Sequence, residues 1–237
     1  MSMKFNLFLI LIVALIAFAA SSTQAAPLNF EKRHHIKEKK KMNNDNNKNK
    51  SKNKVNDNVK FKGNDVCKDS KLDKGDGTQD PKGFCVDTVM GEIPDADNMI
   101  STLITNPIDG STIKANKNFV VETVTDNLIS GFFSDAAKEY YVKPQQLQNG
   151  KILGHSHVTI QELKGDRKKP LNPKVFAFFK GLNEPAKDGV LSVTVNNGLP
   201  AGDYRICTIV SSFTHQPVLM PIAQRGSQDD CIRIKVR

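Results

Sequence analysis

From Asp65 to the C-terminus the chain is written in short apolar, β-branched stretches separated by turn residues, and that punctuation constrains the fold more than any other feature. The expected strands are Ser101–Thr105, Asn118–Thr125, Ile152–Glu162, Val175–Phe179, Val190–Val195, Asp203–Phe213 and Cys231–Val236, with a shorter piece at Val218–Ile222. Turn sequences stand between them: Asn106-Pro107-Ile108-Asp109-Gly110, Asn149-Gly150, Asn196-Asn197-Gly198 and Gln224–Asp230. Only Ser134–Tyr141 reads as a short helix. Strands this short and this many predict an all-β chain, an antiparallel Greek-key sandwich of immunoglobulin-like type. Leu199-Pro200-Ala201-Gly202-Asp203-Tyr204 fits Leu-x-x-Gly-x-Tyr. That is the pattern of a tyrosine corner, where a Tyr hydroxyl bonds back to the backbone as the chain crosses between sheets. Leu199, Gly202 and Tyr204 are therefore expected to be structural.

The first 64 residues have a different character. Lys4 opens the chain, Phe5–Ala20 is an apolar run broken only by Asn6, and Thr23-Gln24-Ala25 fits a small-x-small cleavage site. This predicts a secretory signal peptide over 1–25. A signal anchor is the rival reading, but the run falls short of the ~20 residues that span a bilayer. No later run is long enough to span, so the mature protein is expected to be secreted, extracellular and without a transmembrane segment. Lys32-Arg33 offers a dibasic processing site, making 26–33 a propeptide and His34 the new amino terminus. Residues 34–64 carry ten lysines against Glu38, Asp45 and Asp57, with the sequon Asn49-Lys50-Ser51 among them. With no apolar face to bury, this linker is expected to be disordered. Lys37, Lys39, Lys40 and Lys41 could hold polyanions or act as a nuclear-import-like signal, and a solvated spacer is the plainer reading.

Charge divides the same way. The net charge of +9 is the sum of +2 in residues 1–33 and +7 in residues 34–64, so residues 65–237 are neutral. A basic globular nucleic-acid binder is excluded, and a basic tail on a neutral domain remains.

Four cysteines suit an oxidising export route. Three pairings are possible. Cys67–Cys85 and Cys207–Cys231 are preferred, the first closing a Gly/Asp-rich loop and the second joining two late strands. No C-x-x-C pair is present, which disfavours a zinc site.

Several runs resemble an uncharacterised family of small secreted fungal proteins. They are Asn98–Thr105, Ser130-Gly131-Phe132-Phe133, Gly154-His155-Ser156-His157-Val158-Thr159-Ile160-Gln161, Phe176–Gly181, and Ser211–Asp230 around Thr214-His215-Gln216-Pro217 and Gln224-Arg225-Gly226-Ser227-Gln228-Asp229-Asp230. The likeness runs from about Thr88 to the C-terminus. It implies secretion and a fungal source and supplies no catalytic residues. Some members carry a ribosomal-protein label, which the signal peptide and the neutral domain argue against.

Candidate chemistry centres on histidine. His155 and His157 lie two apart on one strand, so both rings share a face, and His215 follows a later strand. Three imidazoles suit copper or zinc. His155-x-His157 with Glu162 matches half of a cupin motif, but Arg205 stands where the last cupin ligand belongs. The alternative for all three is hydrogen bonding within the sandwich. An amino-terminal His34 is a further copper candidate, though a disordered arm makes a poor rigid site. Asp69, Asp73, Asp76, Gly77 and Asp80 suggest a calcium turn, without the EF-hand pattern. A solvated loop clamped by Cys67–Cys85 competes with it. Phe132-Phe133 and Phe178-Phe179 are expected in the core, one ring of each pair inward. Arg225 with Asp229 or Asp230 is expected to satisfy a turn. There is no Gly-x-Ser-x-Gly elbow and no Trp. The function expected is that of a secreted, non-enzymatic protein without cofactor, acting at the cell wall or host surface. A host-directed effector and a His-ligated copper or zinc protein are the alternatives.

Overall fold

The computed structural model describes residues 66–164 and 168–237. The expected signal peptide, the Lys32-Arg33 site and the 34–64 linker, with its sequon and Lys37, Lys39, Lys40 and Lys41, lie outside the described residues. Among those described, no helix is long and apolar enough to cross a membrane.

The domain is all-β. Ten strands follow in order: β1 (Ser101–Asn106), β2 (Thr112–Ile113), β3 (Phe119–Asp126), β4 (Leu128–Ile129), β5 (Leu147–Gln148), β6 (Lys151–Glu162), β7 (Phe178–Leu182), β8 (Val190–Val195), β9 (Gly202–Ser212) and β10 (Cys231–Val236). One sheet has the order β1-β3-β8. The other runs β2-β10-β9-β6-β4, with β5 and β7 also on β6. Pairing is antiparallel except for β2 on β10 and β4 on β6, which are parallel. The chain therefore crosses between sheets five times, from β1 to β2, β2 to β3, β3 to β4, β7 to β8 and β8 to β9.

Alternation explains the sandwich. In β1 and β10, exposed and buried residues alternate, as half-buried strands require. Ile104, Val121, Leu191 and Val195 of the smaller sheet meet Val158, Ile160, Leu182, Tyr204, Ile206, Ile232, Ile234 and Val236 of the larger in one core. A second cluster, Ile100, Ile152, Val210 and Val218, closes one end. The tyrosine corner forms as expected: Tyr204 is buried and its hydroxyl donates to Pro200 O at 3.0 Å, over a buried Leu199. Gly202 is needed there for room, since a Cβ would stand 3.1 Å from Tyr204 Cε2.

Both disulfides form with the preferred pairing, Cys67–Cys85 and Cys207–Cys231. The second joins residues directly opposite on β9 and β10.

Three expectations are corrected. Ser134–Tyr141 is not a helix. Lys138 and Glu139 N–H close a single turn on Asp135 O, then Tyr140 N–H goes to Gly77 O and Tyr141 N–H to Thr214 O. Tyr141 takes φ 61°, which ends any helix. Strand β7 begins three residues later than expected, because Val175 N–H closes a turn on Asn172 O. Val218–Ile222 forms no strand: Gln145 holds it instead, its Oε1 accepting from Leu219 N–H at 2.8 Å.

Strand β6 is the exception to simple alternation, being buried on both faces from Gly154 to Val158. Its inner face joins the core. Its outer face carries His155 and His157 and is roofed by neighbouring loops.

Candidate metal centre

Period two puts His155 and His157 on the outer face of β6, opposite Ser211 and Ile209 of β9. His215 arrives from the turn after β9. There His215 N–H donates to Ser212 O and Ser212 N–H to Gln216 O. His215 itself takes φ 69°, a conformation that costs a non-glycine residue about 1–2 kcal/mol. Thr214 fixes the turn from behind, its hydroxyl donating to Lys143 O at 2.8 Å. The strained turn delivers the third imidazole over the first two.

The ring centroids lie 4.7 Å apart for His155–His157, 4.5 Å for His155–His215 and 5.5 Å for His157–His215. One nitrogen from each ring falls within 4.8 Å of the others. His155 Nδ1 is 3.1 Å from Phe132 O, and His157 Nδ1 is 3.0 Å from Ile209 O. A carbonyl only accepts, so both Nδ1 atoms carry the proton and both Nε2 atoms keep a free lone pair. His155 Nε2 and His215 Nδ1 are buried and, among the described residues, have no hydrogen-bond partner. A purely structural histidine satisfies its buried nitrogens; these do not.

The electrostatics agree. Burial pushes His155 down to about 3, the neighbouring His157 and His215 add to the fall, and the bond to Phe132 opposes it. Burial lowers His157 as well, against the bond to Ile209 and the nearby Asp229 carboxylate. His215 is lowered by burial and by His157. All three rings are thus held neutral, the form that ligates a metal. The two carbonyls that orient His155 and His157 are the outer partners a metal-bound imidazole uses. Around one ion, nitrogens at about 2.0–2.1 Å stand roughly 3.4 Å apart. From separations of up to 4.8 Å, the set therefore has to draw in by up to about 1.4 Å to close on one ion.

Each imidazole has its own aromatic neighbour. Phe133 meets His155 edge-on at 6.1 Å, Phe179 lies 5.3 Å from His157, and Tyr140 lies 5.8 Å from His215. One ring of each Phe pair is expected inward, in the core, which holds for Phe178-Phe179 and fails for Phe132-Phe133. Only Phe178 packs there, while Phe132, Phe133 and Phe179 are exposed. The hint available was Ser130-Gly131-Phe132-Phe133: Gly131 has φ 94°, a bend that points Phe132 O back at His155.

Other candidates do not join the centre. Glu162 pairs with Lys164 at 2.8 Å, and Arg205 donates to Gln161 Oε1 at 2.6 Å, so no cupin-type set assembles. Asp76 accepts from Thr78 and Asp80 from Lys82, and among the described residues the loop carboxylates do not group around a cation position. Arg225 bonds Ile222 O and Gln228, not an aspartate. Asp229 takes Thr208 Oγ1 and Val210 N–H, while Asp230 takes Ile104 N–H from the other sheet at 2.8 Å. That polar loop is a clasp between the sheets.

These features define a disulfide-bonded all-β sandwich with three neutral imidazoles gathered on the outside of its larger sheet. Residues 102–237 match the CLU5d N-terminal domain, and the chain belongs to that family. It is 48% identical over 165 residues to "Pathogenicity cluster 5 protein d" of Colletotrichum graminicola. The match covers 68% of this chain and 34% of that protein, so the chain spans about a third of the relative's length. The three histidines and their aromatic neighbours all lie within the family region.

Proposed function

We propose that this is a secreted fungal protein of the host interface whose domain binds one transition-metal ion and does no catalysis. The reading rests on one observation: three imidazoles, all held neutral, converge with buried nitrogens that no described group answers. Secretion accords with the signal-like leader and with two disulfides and no free cysteine. The host interface accords with the pathogenicity-cluster name of the relative. The lysines Lys37, Lys39, Lys40 and Lys41 would then retain the protein on polyanions of the wall or host surface.

The test is metal analysis of the full secreted chain, stripped with chelator and reloaded with copper or zinc. About one ion per chain is expected for the wild type, and a loss of at least tenfold in affinity for His157→Ala. Equal loading of wild type and His157→Ala would sink the reading. Circular dichroism of both proteins shows whether the variant is folded, and His155→Gln, which keeps a donor for Phe132 O, repeats the comparison.

A further inference from the structure

We infer that the centre selects cuprous copper, held by His155, His157 and His215 alone, because among the described residues no fourth protein donor joins them and an aromatic ring crowds each imidazole. This rests on the metal-binding reading above and names its cofactor.

The donor set is the first argument. Among the described residues, no carboxylate joins the three nitrogens. All four cysteines are in disulfides, so no thiolate is offered. The carboxylate whose field reaches His157 is Asp229, and its Oδ1 is already occupied by Thr208 Oγ1 and Val210 N–H. Zinc completes such a set with a fourth protein ligand or a water. Cupric ion prefers a tetragonal arrangement that also needs further donors. Cuprous ion, with a filled d shell, is content with three nitrogens in a plane.

The shell is the second argument. Phe133, Phe179 and Tyr140 each pack on one imidazole. His155 is fully buried and His157 nearly so. Tyr140 keeps its hydroxyl proton, donated to Tyr141 Oη at 3.0 Å, and so stays a phenol, a weak metal ligand. A surface cleft of about 440 Å³ runs along β7 and β8, and it reaches this region through Phe133, whose ring is part of its wall. Phe133 is itself part-exposed, while His155, which it meets edge-on, is fully buried.

Charge is the third. Three neutral rings bring no negative charge, so a divalent ion would carry two charges into a weakly polar chamber and a monovalent ion only one. Asp229 nearby supplies one negative charge. An apolar surround of this kind favours the lower oxidation state and raises the potential of the couple.

The test uses the full secreted chain, metal-stripped. Cuprous ion is titrated under argon against a chromophoric cuprous chelator, and cupric and zinc ions against competing chelators in separate runs. The expected result is one cuprous ion per chain, held at least about 100-fold tighter than cupric ion. That ratio raises the one-electron potential by about 120 mV over the aqueous couple. X-ray absorption of the cuprous form should show three nitrogen scatterers and no oxygen. Phe133→Asn, which opens the shell toward the cleft and leaves every ligand in place, should shrink the preference about tenfold. Cupric or zinc ion held as tightly as cuprous, or a fourth oxygen scatterer, overturns the inference and leaves metal binding standing. An unchanged preference in Phe133→Asn overturns the shell as its cause. If none of the three ions binds, the metal reading falls with it.

Discussion

Acid should weaken the metal-free domain, and His155 should be the main reason. Its imidazole is fully buried, and its pKa falls from 6.5 to about 3. Between those values the unfolded chain binds a proton that the folded one refuses, so stability is complete above 6.5 and drains away as pH falls toward 3. Each unit is worth about 1.4 kcal/mol, which sets a ceiling of roughly 3 kcal/mol for a drop from neutral pH to pH 4. His215 is only half-buried, so solvent screens part of this, and about 2 kcal/mol is the expected loss. His157 and His215 shift in the same direction, while Asp229, raised by burial, works in the opposite sense near pH 4. The assay is urea unfolding at pH 7, 5.5 and 4 with chelator present. A loss of about 2 kcal/mol moves the midpoint by roughly 1 M. His155→Gln cannot titrate and keeps a donor for Phe132 O, so its profile should be flatter over the same window. The slope is the readout, since the substitution also costs stability at every pH. Parallel profiles for the two proteins would refute the assignment.

Other predictions test the frame around the centre. Tyr204→Phe removes the bond to Pro200 O and should lower unfolding free energy by about 1 kcal/mol without altering metal affinity, read by urea midpoint and titration. Replacing Cys207 and Cys231 with serine opens a loop of sequence separation 24, and should cost about 3 kcal/mol in the same assay. Deleting residues 34–64 removes a charge of +7, and should abolish salt-sensitive retention on an anionic matrix while the domain's thermal midpoint stays unchanged.

What the sequence disclosed follows from which interactions are local. Val190–Val195 and Cys231–Val236 are bounded by their own turns and appear as expected, because β-branched alternation and flanking glycines act within a few residues. The Leu199–Tyr204 corner is likewise a short-range device. His155-x-His157 gave away a shared face, since strand periodicity is fixed. Its convergence with His215 is tertiary, depending on the β6–β9 register and a left-handed turn at His215. The misreadings have the same origin. Ser134–Tyr141 has helical composition, yet its N–H groups find partners at Gly77 and Thr214, far off in sequence. Phe132 and Phe133 are apolar enough for one ring to enter a core, but the sandwich core is already filled by other side chains, and both stay exposed, Phe133 against His155. Asp229 or Asp230 is expected to pair with Arg225 in a turn, because nothing nearby in the sequence announces that Val210 and Ile104 need acceptors.

A strand with two roofed faces is read by two selections at once. Along β6, Ser156, Val158 and Ile160 face the sandwich, whereas His155 and His157 face the His215 turn on the other side. Gly154 tolerates no side chain, since a Cβ there would sit 2.1 Å from Ser211 O. Saturation mutagenesis through this segment should therefore produce a striped map. Substitutions at 154, 156, 158 and 160 would lower the amount of folded protein, while conservative polar ones at 155 and 157 would act first on metal affinity, read by titration. That spacing separates, residue by residue, what β6 gives to the fold from what it gives to the histidine cluster.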